Sequence, residues 1–401
     1  MQRHILVISQ YFYPEQFRIN DMCREWVNRG HKVTVVTGIP NYPQGEFYKG
    51  YGWFKNRRET WNGVEIIRLP LIARGQGSVR LVLNYLSFVV SGFFWSHFTG
   101  LKADYVFTFE VSPMTQALLG VWFAKRRKIP NYLYVQDLWP ENVEIVTGIH
   151  SKAVLGPISR MVNYIYKHCN AIFATSPSFV TDIQKRCSCQ EQKVHYLPQY
   201  AEDFYKPADS RHSERSEESS NKYKIAFTGN IGKAQGLEIL PKTAALLKGK
   251  ADVNFIIVGD GRNKAELLKL IEQNGVGDMF TMVDRQPAEK IPAILAECDA
   301  AFISFMDTPL FTKTIPAKLQ SYMACGMPIV ASACGETERV VREANCGVCA
   351  TIGDADALAQ AILGLINNPT LPQLGCNAVE YSKVHFCKTK LMDELEEYWK
   401  A

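Results

Sequence analysis

The sequence predicts an α/β protein made of two Rossmann-like, doubly wound domains, each built on a parallel sheet. Short β-branched runs alternate with helical stretches along all 401 residues, a length that provides for two cores. The runs are apolar without strict alternation, as in strands covered on both faces. A polar stretch near the middle divides them into two sets. With 47% hydrophobic and 21% charged residues, the composition is that of a globular chain.

Each strand is predicted from one apolar run. In the first half the runs are "HILVIS", "KVTVVT", "EIIRLP", "DYVFTF", "NYLYVQD", "AIFATS" and "KVHYLP". In the second half they are "KIAFTG", "NFIIVG", "FTMVD", "AAFISF", "PIVAS" and "GVCAT". The helical stretches between them imply right-handed crossovers between parallel strands. The chain ends in three further helical stretches, "DADALAQAILGLINN", "LPQLGCNAVEYSKV" and "KTKLMDELEEYW".

The segment 206–222 separates the two predicted domains. Its main part, "DSRHSERSEESSNK", has five serines, mixed charge and no apolar residue, so an exposed linker is expected. We predict a first domain over 1–205, a second over 223–380, and a C-terminal helix over 381–401 that packs back on the first domain. Ligands of doubly wound sheets bind at the carboxyl ends of the strands, so the two sheets are expected to face each other across a cleft.

Charge, cysteines and the N-terminus restrict the class of protein. The net charge of +5 suits a phosphate-bearing ligand or an acidic membrane surface, and ordinary solvated surface charge explains it equally well. No basic motif is interleaved with aromatic residues, so nucleic acid is not an expected partner.

The eleven cysteines include Cys187 and Cys189 in a C-x-C and Cys346 and Cys349 in a C-x-x-C, which is not a zinc pattern. The opening "MQRHILVISQYF" lacks the pattern of a signal peptide, so a cytoplasmic location is expected.

A glycine-rich turn, "TGNIGKAQGLE", follows the strand "KIAFTG". Gly229 and Gly232 are placed in the turn, and Gly236 is expected to open the next helix. Free amides at a helix N-terminus bind anions, so a phosphate or diphosphate is the inferred ligand. The spacing matches neither the P-loop nor the strict G-x-G-x-x-G fingerprint, and a plain tight turn between strand and helix is the alternative.

Two further segments of the second half have the same strand–turn–helix form. "TKTIPAKLQSYMACGMPIVAS" places Lys313 and Lys318 around a helix start, where either lysine could neutralise a diphosphate or be a solvated surface charge. "FIIVGDGRNKAELL" places Gly259, Asp260 and Gly261 in a turn across which a nucleoside could lie.

Carboxylates are the chemically suggestive residues of the first half. Asp137 closes the strand "NYLYVQD", Glu141 follows one helical turn later, and Glu110 closes "DYVFTF". Such a carboxylate could orient or deprotonate an acceptor hydroxyl. For Asp137 the alternative is an N-cap of the next helix. Glu15 and Arg18 are expected to begin the first helix and to reach a ligand bound across the cleft.

These segments, in this order, resemble the donor domain of glycosyltransferase family 4, which has the GT-B fold. The similar stretches are "FTGNIGKAQGLEIL", "FIIVGDG", "PAKLQSYMACGMPIVAS" followed by "GE", and "GDADALAQAI". They resemble its bacterial surface-polysaccharide branch, the WbuB-like O-antigen, capsule and colanic acid transferases. In the first half, "ILVISQYFYPEQFRINDMCREWVNRGHKVTVVTGIPNYPQGEFYKGYG" and "VQDLWPENV" are similar to the same branch.

The resemblance implies a retaining transferase that uses a UDP-sugar donor and needs no obligatory metal. It also implies a polyprenyl-diphosphate-linked glycan acceptor and a peripheral position at the cytoplasmic membrane surface. The family's cationic pair at the diphosphate falls on Asn230 and Gln235, which are neutral. The charge is therefore expected to come from Lys233, Lys313 or Lys318.

The family's paired glutamates fall on Lys313 and Ser321, so recognition of the ribose and of the donor sugar departs from the usual pattern. An N-acetylated aminosugar or a deoxysugar is the expected group transferred. Two other functions remain open: a UDP-sugar 2-epimerase of GT-B-like fold, and a non-catalytic nucleotide-sugar-binding subunit of a polysaccharide complex.

One apolar segment, Leu81 to Leu101, contains no Asp, Glu, Lys or Arg. A helix in the core or in the wall of the cleft is the first interpretation, and an interfacial membrane patch or a membrane span are the alternatives. Arg80, Lys102 and the "KRRK" at 125–128 would suit contact with anionic lipid.

Overall fold

The structure is a computed structural model that describes residues 2–186, 193–208, 222–368 and 370–399. The chain forms two compact units, Met1–Leu197 and Pro198–Ala401. Cys187, Cys189 and positions 209–221 of the predicted linker lie outside the described residues. The predicted packing of the C-terminal helix on the first domain stays a prediction.

The first unit contains an eight-stranded sheet in the order β3-β4-β2-β1-β5-β6-β7-β8. Its strands are β1 (His4–Ile8), β2 (Lys32–Gly38), β3 (Arg58–Trp61), β4 (Val64–Leu69), β5 (Tyr105–Glu110), β6 (Asn131–Val135), β7 (Ala171–Ala174) and β8 (Val194–Tyr196). Its helices are α1 (Arg18–Asn28), α2 (Ser78–Phe98), α3 (Ala117–Arg127), α4 (Glu141–Thr147), α5 (Lys152–Lys167) and α6 (Pro177–Arg186). Every run predicted as a strand in this half is one.

Strand β3 was not predicted, and it is the antiparallel member of this sheet. It pairs with β4 from Arg58↔Ile67 to Trp61↔Val64. Asn62 and Gly63 connect the two strands with φ values of 46° and 79°. An Asn-Gly pair with positive φ at both residues is the preferred two-residue hairpin turn, so "WNGVEII" carried the missed signal.

The second unit contains a six-stranded parallel sheet in the order β11-β10-β9-β12-β13-β14. Its strands are β9 (Tyr223–Thr228), β10 (Val253–Val258), β11 (Phe280–Val283), β12 (Ala300–Ser304), β13 (Ile329–Ser332) and β14 (Gly347–Ala350). Its helices are α7 (Ile239–Leu247), α8 (Lys264–Gln273), α9 (Ile291–Ala296), α10 (Ala317–Ala324), α11 (Glu336–Glu343), α12 (Ala355–Ile366), α13 (Leu371–His385) and α14 (Lys388–Glu397). A buried apolar cluster on each face of the sheet confirms the doubly wound prediction.

The central strands of the second sheet separate towards their carboxyl ends. Strand β9 pairs with β10 along its whole length, up to Thr228↔Val258. It pairs with β12 at two positions only, the last being Ala226↔Ala301. Strand order also reverses here, because β10 and β11 lie on one side of β9 while β12, β13 and β14 lie on the other. A crevice at such a switch point is the usual ligand site of a doubly wound sheet.

Helix α2 presents apolar side chains to solvent. The residues it buries are Asn84, Phe88, Gly92 and Ser96, a narrow seam with a four-residue spacing. Gly92 permits this contact, because a Cβ atom there would overlap the Leu119 side chain of α3. The exposed apolar residues of the helix are Val79, Val82, Leu83, Leu86, Val90, Phe93, Phe94 and Phe98. Only 17% of the most apolar part of this helix is buried, so the expectation of a core helix is wrong, while the cleft wall, the membrane patch and the membrane span stay predictions.

Candidate functional site

The glycine-rich turn of the second unit offers free amides at the end of β9. The Ile231 amide is used internally, donating to the Asp260 carbonyl at 2.8 Å. Within the part of the chain that the structure describes, the amides of Asn230, Gly232 and Lys233 donate to no acceptor. A row of amides that lack acceptors stabilises an anion. The predicted diphosphate site therefore has the required donors.

Gly236 does not open the following helix, which corrects the sequence prediction. A short 3-10 turn, Lys233–Gln235, follows Gly232, and α7 begins only at Ile239. Gly236 has a φ of 57° and ends that turn. A Cβ atom there would lie 2.6 Å from the Phe305 carbonyl oxygen, so glycine is needed for a close approach of two backbones.

The second turn, Gly259-Asp260-Gly261, is packed against the first. A Cβ atom on Gly259 would overlap the Gly229 carbonyl oxygen, and one on Gly261 would overlap that of Ile231. Gly259 and Gly261 have φ values of 152° and 159°. These glycines therefore let the two turns touch. Asp260 is exposed, and its carboxylate accepts from the Gly261 amide at 2.8 Å.

Lys318 brings a cation to the same crevice. Its Nζ donates to Gln235 Oε1 at 2.5 Å and lies 3.9 Å from the centroid of the Phe227 ring. A Cβ atom on Gly229 would be 3.6 Å from this Nζ. Part of the side chain is accessible, but burial of the amine lowers the pKa of Lys318 to about 7. The structure thus brings Lys318, Gln235 and Gly229 together, as the sequence predicted.

The other predicted donor-site residues differ in their placement. Lys233 is exposed in the turn beside Gln235, and Lys313 ends a short 3-10 turn, Phe311–Lys313, before α10. Ser321 is buried within α10 and donates to the carbonyl of Ala317 at 3.3 Å, one turn back in its own helix. Its hydroxyl is therefore already engaged at the position where the family has a glutamate.

Tyr322 was not predicted, and it joins α10 to the end of β9. It is 1% exposed. Its hydroxyl accepts from the Thr228 amide at 2.8 Å and donates to the Thr228 carbonyl at 3.3 Å. Thr228 immediately precedes Gly229, so Tyr322 fixes the start of the glycine-rich turn. A lone tyrosine in a helical stretch gave no signal of this role.

Gly232→Val is expected to weaken UDP binding at least tenfold. The backbone at Gly232 is extended, with φ −111° and ψ 160°, so valine fits without strain. The new Cβ would meet only the Asn230 side-chain nitrogen, at 2.7 Å, and its methyl groups would occupy the space in front of the free amides. Isothermal calorimetry measures the affinity, and Gly364→Val, at an exposed helical position of α12 where a Cβ atom meets nothing, is the control. Unchanged UDP affinity in Gly232→Val would contradict this site.

In the first unit, Glu110 and Asp137 lie together at the carboxyl ends of β5 and β6. Asp137 Oδ2 accepts from the Ser112 amide at 2.7 Å, and the Asp137 amide donates to Glu110 Oε2 at 3.4 Å. Burial raises the pKa of both carboxyls, and for Glu110 the neighbouring Asp137 charge raises it further. Two adjacent buried carboxyls favour one held proton, which leaves the more accessible Asp137 as the candidate base.

Asp137 is not an N-cap, so that alternative is wrong. Helix α4 begins four residues later, with Pro140 at the N-cap position and no side-chain cap. Glu141 begins α4, and its carboxylate forms an ion pair with Arg186 of α6. Sequence proximity thus suggested a pair of functional carboxylates, whereas the structure engages Glu141 with an arginine.

Glu15 precedes the first helix rather than beginning it, while Arg18 is the first residue of α1. The Glu15 side chain is buried and accepts from the amides of Asn41 and Tyr42 at 2.8 and 2.6 Å. Burial raises the pKa of Glu15 to about 7. Its visible role is to hold the loop that follows β2.

A cluster of tyrosines and one arginine, missed in the sequence, lies in the same unit. Arg74 Nη1 donates to the Tyr11 hydroxyl at 3.3 Å, and the Arg74 guanidinium lies over the Tyr42 ring. Burial raises the pKa of Tyr85 of α2, which the Arg74 charge lowers and the Asp137 charge raises. These residues are far apart in the sequence, so no local motif predicted that they form a cluster.

The first unit also contains a pocket away from the predicted sites. A pocket of about 320 Å³ is lined by Gln44–Phe47 and by residues of the segment 73–80, and contains no residue of the predicted sites. Within 2–186, 193–208, 222–368 and 370–399, no group of three or more His, Cys, Asp or Glu side chains is placed to hold a metal ion.

Comparison with known proteins relates both halves of the chain to one class of enzymes. Residues 16–199 match the family described as Glycosyl transferase 4-like domain, and residues 209–381 match Glycosyl transferases group 1. The colanic acid biosynthesis glycosyl transferase WcaI of Escherichia coli K12 is 26% identical over 83% of this chain and 84% of its own length.

Solved structures of low identity share the fold. Sucrose-phosphate synthase of Thermosynechococcus elongatus superposes with a TM-score of 0.77 at 17% identity, covering 100% of this chain and 98% of that one. HepE of Anabaena, determined with UDP-glucose, has a TM-score of 0.73 at 15% identity and covers 100% of both chains. Together with the two family matches, these findings show that the chain is a glycosyltransferase of family 4 with the GT-B fold.

Proposed function

We propose that this glycosyltransferase moves a sugar from a UDP-sugar to a lipid-linked glycan acceptor, with retention, in the synthesis of a surface polysaccharide. The transferred group is an N-acetylated aminosugar or a deoxysugar. The observation that carries the proposal is the crevice between β9 and β12, where the free amides of Asn230, Gly232 and Lys233 adjoin the Lys318 amine. Support for the pathway comes from the similarity to WcaI, which is described as a colanic acid biosynthesis enzyme.

Departure of UDP from the sugar donor requires hydrogen-bond donors that point at the diphosphate. Negative charge builds on UDP as the glycosidic bond breaks, and fixed amides and a lysine stabilise it without reorganisation. Lys318 is desolvated in the free protein and gains a proton as the dianionic ligand approaches. We propose that this arrangement makes an obligatory metal unnecessary. The complex of HepE with UDP-glucose supports a UDP-linked donor.

The acceptor half of the reaction belongs to the first unit in this proposal. Asp137 accepts the proton of the attacking hydroxyl, and the neighbouring Glu110 holds a proton of its own because of its raised pKa. Helix α2, whose exposed apolar face is defined above, contacts the membrane surface in which a lipid-linked acceptor resides. Exposed basic residues close to its ends, such as Arg80 and Lys102, favour anionic lipid.

The double variant Leu86→Ser/Phe94→Ser is expected to bind phosphatidylglycerol vesicles at least tenfold more weakly than the unchanged chain. Both side chains are about half exposed on the outer face of α2, and each loses apolar burial in the bilayer interface. Vesicle co-sedimentation measures binding. Leu268→Ser, at a leucine of α8 in the second unit that is 42% exposed, is the control. Equal binding of both variants would rule out α2 as the membrane contact.

A donor screen tests the proposed reaction. The protein is incubated with UDP-sugars, and release of UDP is followed with and without a lipid-linked glycan extracted from the cytoplasmic membrane. Acceptor-dependent UDP release that persists in EDTA is the expected result. Release of UDP without an acceptor, together with an epimerised sugar, would indicate an epimerase. Binding of UDP-sugar without turnover would indicate a non-catalytic subunit, and activity lost in EDTA and restored by magnesium would overturn the metal-independent mechanism.

A further inference from the structure

Arg74 is a positioned cation without a carboxylate partner. It lies in the connection between β4 and α2, and its amide donates to Asn41 Oδ1 at 2.9 Å. Its guanidinium carbon is 5.2 Å from the centroid of the Tyr42 ring, while Nη1 reaches the Tyr11 hydroxyl. Among the side chains that the structure describes, no Asp or Glu forms an ion pair with Arg74.

Other partly buried arginines of the same unit are neutralised or satisfied within the chain: four have an acidic partner, while Arg57 and Arg127 donate to backbone carbonyls. Those with an acidic partner are Arg24 with Asp21, Arg29 with Glu25, Arg68 with Glu59, and Arg186 with Glu141. An arginine that is half-buried loses hydration and normally regains the energy through a carboxylate. Arg74 has instead a ring face and a phenol, which fix its orientation and leave guanidinium donors available.

Arg74 and the candidate base lie near the same tyrosine of α2. Tyr11 accepts from Arg74 at 3.3 Å. Burial raises the pKa of Tyr85, the Arg74 charge lowers it and the Asp137 charge raises it. Arg74 follows β4, Tyr11 follows β1 and Asp137 follows β6, so all three lie at the carboxyl edge of one parallel sheet. Groups at that edge share the ligand site of such a fold. The unpaired cation and the candidate base therefore belong to one region.

We propose that Arg74 binds an oxyanion carried by the acceptor, either a phosphate or a carboxylate, and so orients the acceptor beside Asp137. This inference rests on the proposed function, because it assumes that the first unit binds the acceptor. A planar guanidinium recognises both oxyanions with paired hydrogen bonds, whereas a neutral acceptor would leave it without a counter-ion. Contacts with Tyr11 and Tyr42 hold the guanidinium in place before the acceptor arrives.

Direct binding of three small probes to the full chain tests the subsite. The probes are para-nitrophenyl phosphate, para-nitrophenyl glucuronide and the neutral para-nitrophenyl glucoside, and binding is followed by NMR chemical-shift titration. One anionic probe is expected to bind at least tenfold more tightly than the glucoside, and which one it is distinguishes a phosphate from a carboxylate. Arg74→Gln is expected to abolish this preference and to leave UDP affinity unchanged. Arg29→Gln, whose arginine has its own carboxylate, should keep the preference.

Equal binding of the three probes, or a preference that survives Arg74→Gln, would overturn the subsite. If Arg74→Gln does not fold, Arg74→Lys is tested instead. Lysine cannot form the paired hydrogen bonds of a guanidinium, so affinity for the anionic probe should fall several-fold while affinity for the neutral probe stays the same. An unchanged preference for the anionic probe would refute the proposal. Probe binding needs no turnover. A chain that binds anionic probes through Arg74 but transfers no sugar would refute the proposed function alone, and a transferase without the preference would refute the subsite alone.

Discussion

Replacing Lys318 with alanine is expected to lower kcat about 100-fold or more, the size typical of losing one preorganised electrostatic donor. The Lys318 amine adjoins Gln235 and the glycine-rich turn, where the charge of a leaving diphosphate would develop. Folding is expected to change little, because the amine is desolvated and its loss removes that penalty. Steady-state kinetics with a saturating donor, together with thermal denaturation, measure the two effects.

Two further variants separate charge from packing. Lys318→Met keeps an unbranched side chain of similar length and removes the amine that lies over the Phe227 ring, so its kcat should fall as far as that of the alanine variant. Lys269→Ala, an exposed lysine of α8, should behave like the unchanged protein. A near-normal kcat in Lys318→Met would sink the assignment and shift it to Lys313 or Lys233.

The same lysine predicts a pH dependence of UDP binding. Its pKa of about 7 means that the free protein loses this charge above neutral pH, whereas a bound diphosphate raises the pKa again. Binding therefore takes up a proton, and UDP affinity should fall by roughly tenfold for each pH unit above 7. Calorimetry at several pH values, with Lys318→Met as the reference, detects this slope. An equal slope in both proteins would assign the effect to another group.

Asp137→Asn is expected to lower kcat between about 100-fold and 10,000-fold, the range for loss of a general base. Asparagine keeps the size of the side chain and can still accept from the Ser112 amide, so the fold should persist. In the unchanged enzyme, activity should rise with pH through the raised pKa of Asp137, because only the ionised carboxylate accepts a proton. This acidic limb should disappear in Asp137→Asn. Measurement of kcat against pH for both proteins checks the two expectations together.

Glu144→Gln provides the comparison for Asp137. Glu144 lies on α4, the helix that follows Asp137, and its carboxylate pairs with His150 at 2.6 Å. Its replacement should change kcat by less than about twofold, as expected for a surface ion pair. A loss equal to that of Asp137→Asn would mean that both variants act by disturbing α4 rather than by removing a base.

The architecture followed from periodicity because both sheets are buried by helices. Runs such as "HILVIS" and "KIAFTG" have no polar face and therefore predict parallel strands flanked by crossovers, which is what β1 and β9 are. The donor crevice was also predictable, since the glycines follow a central strand and Lys318 lies in the first turn of α10, and the strand order brings these two segments together. Short β3 has four residues and depends on its turn, so it was missed.

The remaining parts of the site depend on contacts that no local pattern encodes. Asp137 has the sequence position of a cap, and only the Ser112 contact shows otherwise. The apolar composition of α2 suggested a core helix, because sequence does not reveal that its inward seam consists largely of polar and small residues. The Arg74 guanidinium is positioned by Tyr11 and Tyr42, which come from two other loops, so its sequence neighbours do not indicate a role.

The contact between the two glycine turns has a consequence for engineering of donor choice. Gly259 and Gly261 contact the backbone of Gly229 and Ile231, so the shapes of the two turns are complementary. A chimaera that imports residues 228–236 from a relative would meet a second turn shaped for a different partner. Chimaeras that exchange 228–236 and 258–263 together should keep their activity, whereas those that exchange one turn alone should lose it. Donor specificity can therefore be transferred only by moving both turns.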